Sequence, residues 1–189
     1  MKKRICFSGV VLLGILLITA GDLNAQESKK NQGKEEKIQW RTFEEAYKLN
    51  KKKPRKIFVD VYTDWCGWCK KMDAETFAQP LVVKYMNRNF YNVKLNAERK
   101  DTVVLDGVKF VNPNPSASRS THQLANEMLR GQMSYPSYAF LNEKGQLISV
   151  VPGYHPAVEF ESIIKYFGQD AYLNTKWEDW QSRFKGELK

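Results

Sequence analysis

The chain has 189 residues, a formal net charge of +9, 42% hydrophobic and 27% charged residues, which is ordinary for a globular protein and enough for one domain with a buried core. Its basic residues are scattered in short clusters (Lys51-Lys52-Lys53, Lys70-Lys71, Arg99-Lys100) and interleaved with acids. That pattern describes a solvated surface and argues against nucleic-acid binding, while attraction to acidic partners or membrane surfaces stays open.

Lys2-Lys3-Arg4 precedes an apolar run from Phe7 to Ala20, and Leu23-Asn24-Ala25 offers a small residue for cleavage. The run is shorter than the roughly 20 apolar residues that a spanning helix needs. Residues 1–25 therefore read as a secretory signal peptide, and the protein as periplasmic or otherwise exported. Cleavage removes Cys6 and leaves Cys66 and Cys69 as the only thiols, with a net charge of about +7. Residues 26–37 (QESKKNQGKEEK) are wholly polar and read as a flexible linker, with folding starting near Ile38.

Thr42 and Glu45 form a capping-box pattern that opens a first helix with Phe43, Ala46 and Tyr47 on its apolar face. Ile57 to Tyr62 reads as a buried strand. Trp65-Cys66-Gly67-Trp68-Cys69-Lys70 then places two thiols with C-x-x-C spacing at a strand-to-helix junction, the arrangement of a redox pair. At the helix start, unpaired N–H groups and the helix dipole favour a Cys66 thiolate, and Cys69 lies one turn on, on the same face. In an oxidising compartment so short a loop gains little from a cross-link, which points to catalysis rather than structure.

The redox helix is expected to break near Gln79-Pro80, with a new segment from Leu81 burying Val82, Tyr85 and Met86. Phe90 to Leu95 reads as a second, parallel core strand. Asp106-Gly107 between Val103-Val104-Leu105 and Val108-Lys109-Phe110 is a hairpin signal. A loop from Asn112 to Ser118 follows, and Ser120 with Gln123 looks like a capping box for a helix stopped by Gly131. Strands from Ser137 to Leu141 and from Leu147 to Val151 are joined by a short turn ending at Gly145. After Gly153 and Pro156 comes a helix with Phe160, Ile163, Ile164 and Phe167 on one side. Thr175 with Glu178 is expected to cap a last helix, whose Trp177, Trp180 and Phe184 pack on the domain. His122 and His155 have no zinc-finger spacing to the cysteine pair, so no metal site is expected.

This order of elements, with the C-x-x-C at the first crossover, resembles the thioredoxin-like family. The resemblance rests on Asp60, Trp65, Cys66-Gly67, Cys69-Lys70, Lys94-Leu95-Asn96, Tyr135-Pro136-Ser137 and Gly153, and spans residues 38–170. It implies an α/β thioredoxin fold, a central mixed sheet flanked by helices, here with an insertion at 98–120 and a helical extension at 171–189. It implies that Cys66 attacks a substrate disulfide and Cys69 resolves the mixed disulfide. A partly buried Asp60 would help deprotonate Cys69, with Lys94 tuning its pKa. A cis Pro136 would present the backbone of Tyr135 to an extended substrate, and Trp65, Gly67 and Trp68 would border the thiols. The resemblance implies no cofactor beyond the redox-active Cys66–Cys69 disulfide.

Trp68 stands where thioredoxin has proline, and residues 98–120 are longer than the corresponding connection, as a lid or recognition surface or as a tolerated insertion. Reduction of disulfides in exported proteins, fed by a membrane thiol donor and carried out by a monomer, is the favoured reading. Oxidase, isomerase and a binding or chaperone module remain the alternatives.

Overall fold

A computed structural model describes residues 36–189; the signal peptide and most of the linker read from the sequence lie outside the described residues. Five strands form one mixed sheet in the order β1-β3-β2-β6-β7: β1 (Trp40–Arg41), β2 (Ile57–Tyr62), β3 (Tyr91–Asn96), β6 (Ser137–Leu141) and β7 (Leu147–Pro152). β3 runs parallel to β1 and β2, whereas β6 runs antiparallel to β2 and β7. The predicted hairpin forms a separate two-stranded sheet, β4 (Val103–Leu105) and β5 (Val108–Phe110). Its turn residues Asp106 and Gly107 have φ of 48° and 82°, the left-handed pair that a tight hairpin turn requires.

Strand alternation sends side chains to opposite sheet faces, and each face has its own apolar layer. On one, α1 (Phe43–Lys52) and α4 (Gln123–Met128) pack on Ile57, Val59, Val61, Val93, Leu95 and Ala139. On the other, Phe58, Tyr138 and Phe140 meet residues of α3 (Pro80–Asn89) and α5 (Ala157–Gly168). Phe58 is fully buried among the rings of Trp40, Phe77, Phe90, Tyr138, Phe140 and Phe160. Truncating it to alanine should cost about 3–5 kcal/mol.

The capping box on α1 forms as read: the Thr42 side chain accepts from Glu45 N, and the Glu45 carboxylate accepts from Thr42 N. Two other caps differ from their sequence patterns. α4 is capped by His122, whose Nδ1 accepts from Leu124 N, while the Ser120 hydroxyl donates to Asn112. A fully buried imidazole wins there because it satisfies a helix N–H and also reaches the Asp101 carbonyl. α6 (Trp177–Arg183) starts after Lys176 without a side-chain cap, and the Thr175 carbonyl accepts from the Tyr166 hydroxyl. Trp177 meets the Tyr166 ring edge-on, Trp180 packs tilted against it, and Phe184, just past the helix end, packs tilted against Trp180. The segment after Gln79 starts at Pro80, one residue before the expected Leu81, with the Gln79 side chain accepting from Leu81 N. Glu36 and Lys37, read as the end of the linker, both accept hydrogen bonds from Asn87.

Candidate active site

β2 ends at Tyr62, and the chain turns so that Cys66 caps α2 (Gly67–Lys71). Cys66 and Cys69 are joined by a disulfide. Cys69 N donates to Cys66 Sγ at 3.0 Å, the contact that would stabilise a Cys66 thiolate after reduction. The sulfur-bearing residues are only 4% and 3% exposed, so a partner must reach them across their surroundings.

The helix does not continue regularly. Residues Met72–Thr76 form a π-turn, closed by Phe77 N donating to Met72 O at 2.8 Å. The Thr76 hydroxyl ties this turn to the His155 carbonyl at 2.8 Å, anchoring the redox helix to the loop before α5. The π-turn carries Asp73 next to the sheet, where its carboxylate meets the Lys94 ammonium.

β2 and β3 place Asp60 directly opposite Lys94, and β2 and β6 place it opposite Tyr138. Asp60 is 1% exposed, more deeply buried than the partly buried acid expected from the sequence. Lys94 Nζ lies 2.7 Å from Asp60 Oδ2, yet no well-directed hydrogen bond reaches either carboxylate oxygen. Burial pushes the Asp60 pKa up to about 6 from 3.8, and the Lys94 charge offsets only part of that cost. Burial also opposes charge on Lys94, but Asp60 and Asp73 outweigh it and raise its pKa. A buried carboxyl that exchanges its proton near neutrality, on the strand that leads to the dithiol, has the chemistry of a proton donor and acceptor.

Two aromatic groups flank the disulfide. Trp65, 52% exposed, donates from Nε1 to Glu98 and meets the Tyr135 ring edge-on. Trp68, 57% exposed, packs beside Tyr154, and the Lys71 ammonium sits over both rings. The Tyr135-Pro136 peptide is cis, and Pro136 O accepts from Gly153 N at 2.8 Å. A Cβ on Gly67 would meet nothing within 4 Å, so the helix start is open on that side.

The structure thus gathers Cys66, Cys69, Trp65, Gly67 and Trp68 on one short stretch, brings Tyr135 against Trp65, and sets Asp60 with Lys94 toward the core. Sequence reasoning missed Asp73, Glu98, Arg119 and Tyr154. Asp73 has a sequence signal, since it lies four residues after Cys69 and so on the same helical face. Among the described residues no group of His, Cys, Asp and Glu side chains has the arrangement to hold a metal ion, and no helix is long and apolar enough to cross a membrane.

Solved structures share this fold. A Bacteroides thetaiotaomicron protein, provisionally named a disulphide-isomerase, is 26% identical, with a TM-score of 0.51 over 74% of this chain and 98% of that one. A thioredoxin from Thermus thermophilus is 16% identical, with a TM-score of 0.51 over 79% and 98%. The DsbH oxidoreductase is 17% identical, with a TM-score of 0.50 over 70% and 85%. No curated protein matches by sequence. The family model for the thioredoxin-like domain matches residues 43–168, which carry the C-x-x-C, the buried acid and the cis-proline loop. The disulfide at the helix start within that domain supports thiol-disulfide oxidoreductase chemistry, and the chain belongs to the thioredoxin-like domain family.

Proposed function

We propose that this protein is an exported thiol-disulfide oxidoreductase that reduces disulfides of other proteins by exchange. In its reduced form, the Cys66 thiolate attacks one sulfur of a substrate disulfide, forming a mixed disulfide and releasing the other substrate sulfur as a thiolate that takes up a proton. Asp60 accepts the Cys69 proton, and the resulting thiolate attacks Cys66 Sγ. The second substrate sulfur leaves as a thiolate and takes up the proton released from Asp60, which restores the carboxylate, and the Cys66–Cys69 disulfide remains. A dithiol donor, a membrane thiol carrier in the exported setting, returns two electrons and two protons for the next cycle.

The observation that carries this reading is the disulfide at a helix start combined with a buried Asp60 whose pKa is raised to about 6. An acid ionising in that range can give and take a proton at neutral pH, which suits a cycle that repeatedly makes and consumes Cys69 thiolate. Tyr135 supplies the docking edge: its backbone N–H and C=O pair with no other backbone group among the described residues, leaving them available to an extended chain. Residues 1–25 would direct export, and the domain would act as a monomer without nucleic acid or metal. The kinship with a provisionally named disulphide-isomerase favours isomerisation as the second reading, since it begins with the same attack by Cys66.

The test is reduction of insulin disulfides driven by dithiothreitol. The protein should accelerate it, and Cys66→Ser should abolish the acceleration. Undiminished acceleration by Cys66→Ser would rule out Cys66 as the attacking thiol, and substrate capture that survives replacement of both cysteines would favour a binding module instead.

A further inference from the structure

The chain has two histidines, and their surroundings ask for opposite charge states. His122 donates from Nε2 to the Asp101 carbonyl and accepts at Nδ1 from Leu124 N, which a neutral ring satisfies in full. At His155 both ring nitrogens face oxygen acceptors. Nδ1 lies 3.0 Å from Glu159 Oε1, and Nε2 lies 3.1 Å from Pro152 O. A neutral imidazole has one N–H and one lone pair, so it can meet only one of these, whereas the imidazolium donates to both.

The ring is 14% exposed, and its two bonds join the end of β7 to the first turn of α5. The His155 backbone holds the redox helix. Its carbonyl accepts from the Thr76 hydroxyl at 2.8 Å and its N–H donates to Met72 Sδ at 3.5 Å, so both contacts fall on the π-turn. Other groups face this loop from each neighbouring element. Lys71 and Glu75, on the redox helix and its π-turn, lie 3.9 Å apart and both engage Tyr154. Tyr138 on β6 has its ring 6.2 Å from the imidazole, Tyr166 of α5 lines the same groove, and burial raises the pKa of both hydroxyls. β7 lines that groove without a charged side chain. The N-terminal end of α5 opposes a positive ring, and the Glu159 carboxylate offsets it.

We propose that His155 is a positioning residue whose imidazolium latches the 153–156 loop, and with it the π-turn of the redox helix, and that loss of the ring proton opens the latch. When that proton leaves for water, one nitrogen lone pair turns on an oxygen acceptor and a hydrogen bond is exchanged for repulsion. The redox helix is held in acid and eased in base. This adds a regulation to the exchange reading above and rests on it.

The test follows amide exchange of the oxidised full chain from about pH 5 to pH 8, with each rate divided by that of an unstructured peptide. Protection of the Phe77 amide, which closes the π-turn on Met72 O, should fall about tenfold over the interval in which the His155 ring titrates by NMR. Glu159→Gln offers Nδ1 either a donor or an acceptor and should confine the fall to about twofold. His155→Gln should remove it, whereas His122→Asn, which keeps a helix cap, should preserve it. KM for insulin, taken as the ratio of parent to Glu159→Gln so that the thiols and Asp60 cancel, should rise about threefold over the same interval. A fall of equal size in Glu159→Gln, one that survives in His155→Gln, a His155 ring that does not titrate in this range, or a flat KM ratio would overturn the latch. A latched parent that does not speed insulin reduction would overturn the exchange reading alone.

Discussion

Outside the disulfide, two tryptophans stand more than half exposed; toward the core, Asp60 is sealed from solvent and paired with one lysine. The outer indoles offer exposed apolar surface and have no group that titrates near neutrality. The inner group does titrate there and has no surface to offer. In the exchange mechanism proposed above, recognition and proton transfer are divided between these two sets of residues, with the cysteines acting in both. Changes outside should move KM, and changes inside should move kcat and its pH dependence.

The largest departure from this division comes from the cysteines, which belong to both sides. Cys69→Ala should leave the first attack intact but stop resolution, so covalent mixed disulfides accumulate with protein substrates and disappear on treatment with dithiothreitol. Non-reducing electrophoresis reads this directly, and a variant that turns over without trapping partners would mean that Cys69 is not the resolving thiol.

Asp60→Asn should lower the resolution rate at pH 7 by about 10²-fold and remove the inflection near pH 6 from its pH profile. The ionised carboxylate is the base, so the parent rate should fall as pH drops below about 6. Stability should respond in the opposite sense. A carboxyl with a folded pKa above its unfolded one contributes fully below 3.8 and loses that contribution as pH rises through about 6. Asp60→Asn should therefore stabilise the fold at pH 8, by on the order of 2 kcal/mol, and have little such effect at pH 3. Denaturant titrations of both proteins at the two pH values check the sign.

Trp68→Ala gives the smallest effect. Trp68 leans on Tyr154 and the Lys71 ammonium, without the hydrogen bond that fixes Trp65. Its loss should raise KM for insulin roughly threefold at constant kcat. A change confined to kcat would erase the boundary between the two sides.

Much of the frame was legible in the residues. The β-branched run before Cys66, the Asp106-Gly107 turn and the Thr42–Glu45 box are local signals, and each appears in the structure where local chemistry puts it. The misses came where a distant partner outcompeted a local pattern. Ser120 and Gln123 match a capping box, but Ser120 is drawn to Asn112 and Gln123 accepts from Val111 N, leaving His122 to cap α4. Met72 to Glu75 has ordinary helical composition, and its π-turn is accompanied by a tie from Thr76 to His155, 79 residues away. β1 is two residues long and exists through pairing with Asn92 and Val93. At the site, the C-x-x-C identified the cysteines, but Glu98 and Arg119 had no signal because their meeting at Trp65 depends on how the insertion closes.

The most direct measurement of the reductive role is the reduction potential of the Cys66/Cys69 pair, by equilibration in defined glutathione and dithiothreitol buffers. A reductase poised to give electrons to exported proteins should equilibrate near about −270 mV. A value near roughly −120 mV would contradict that direction and make the protein an oxidant that forms disulfides in its partners.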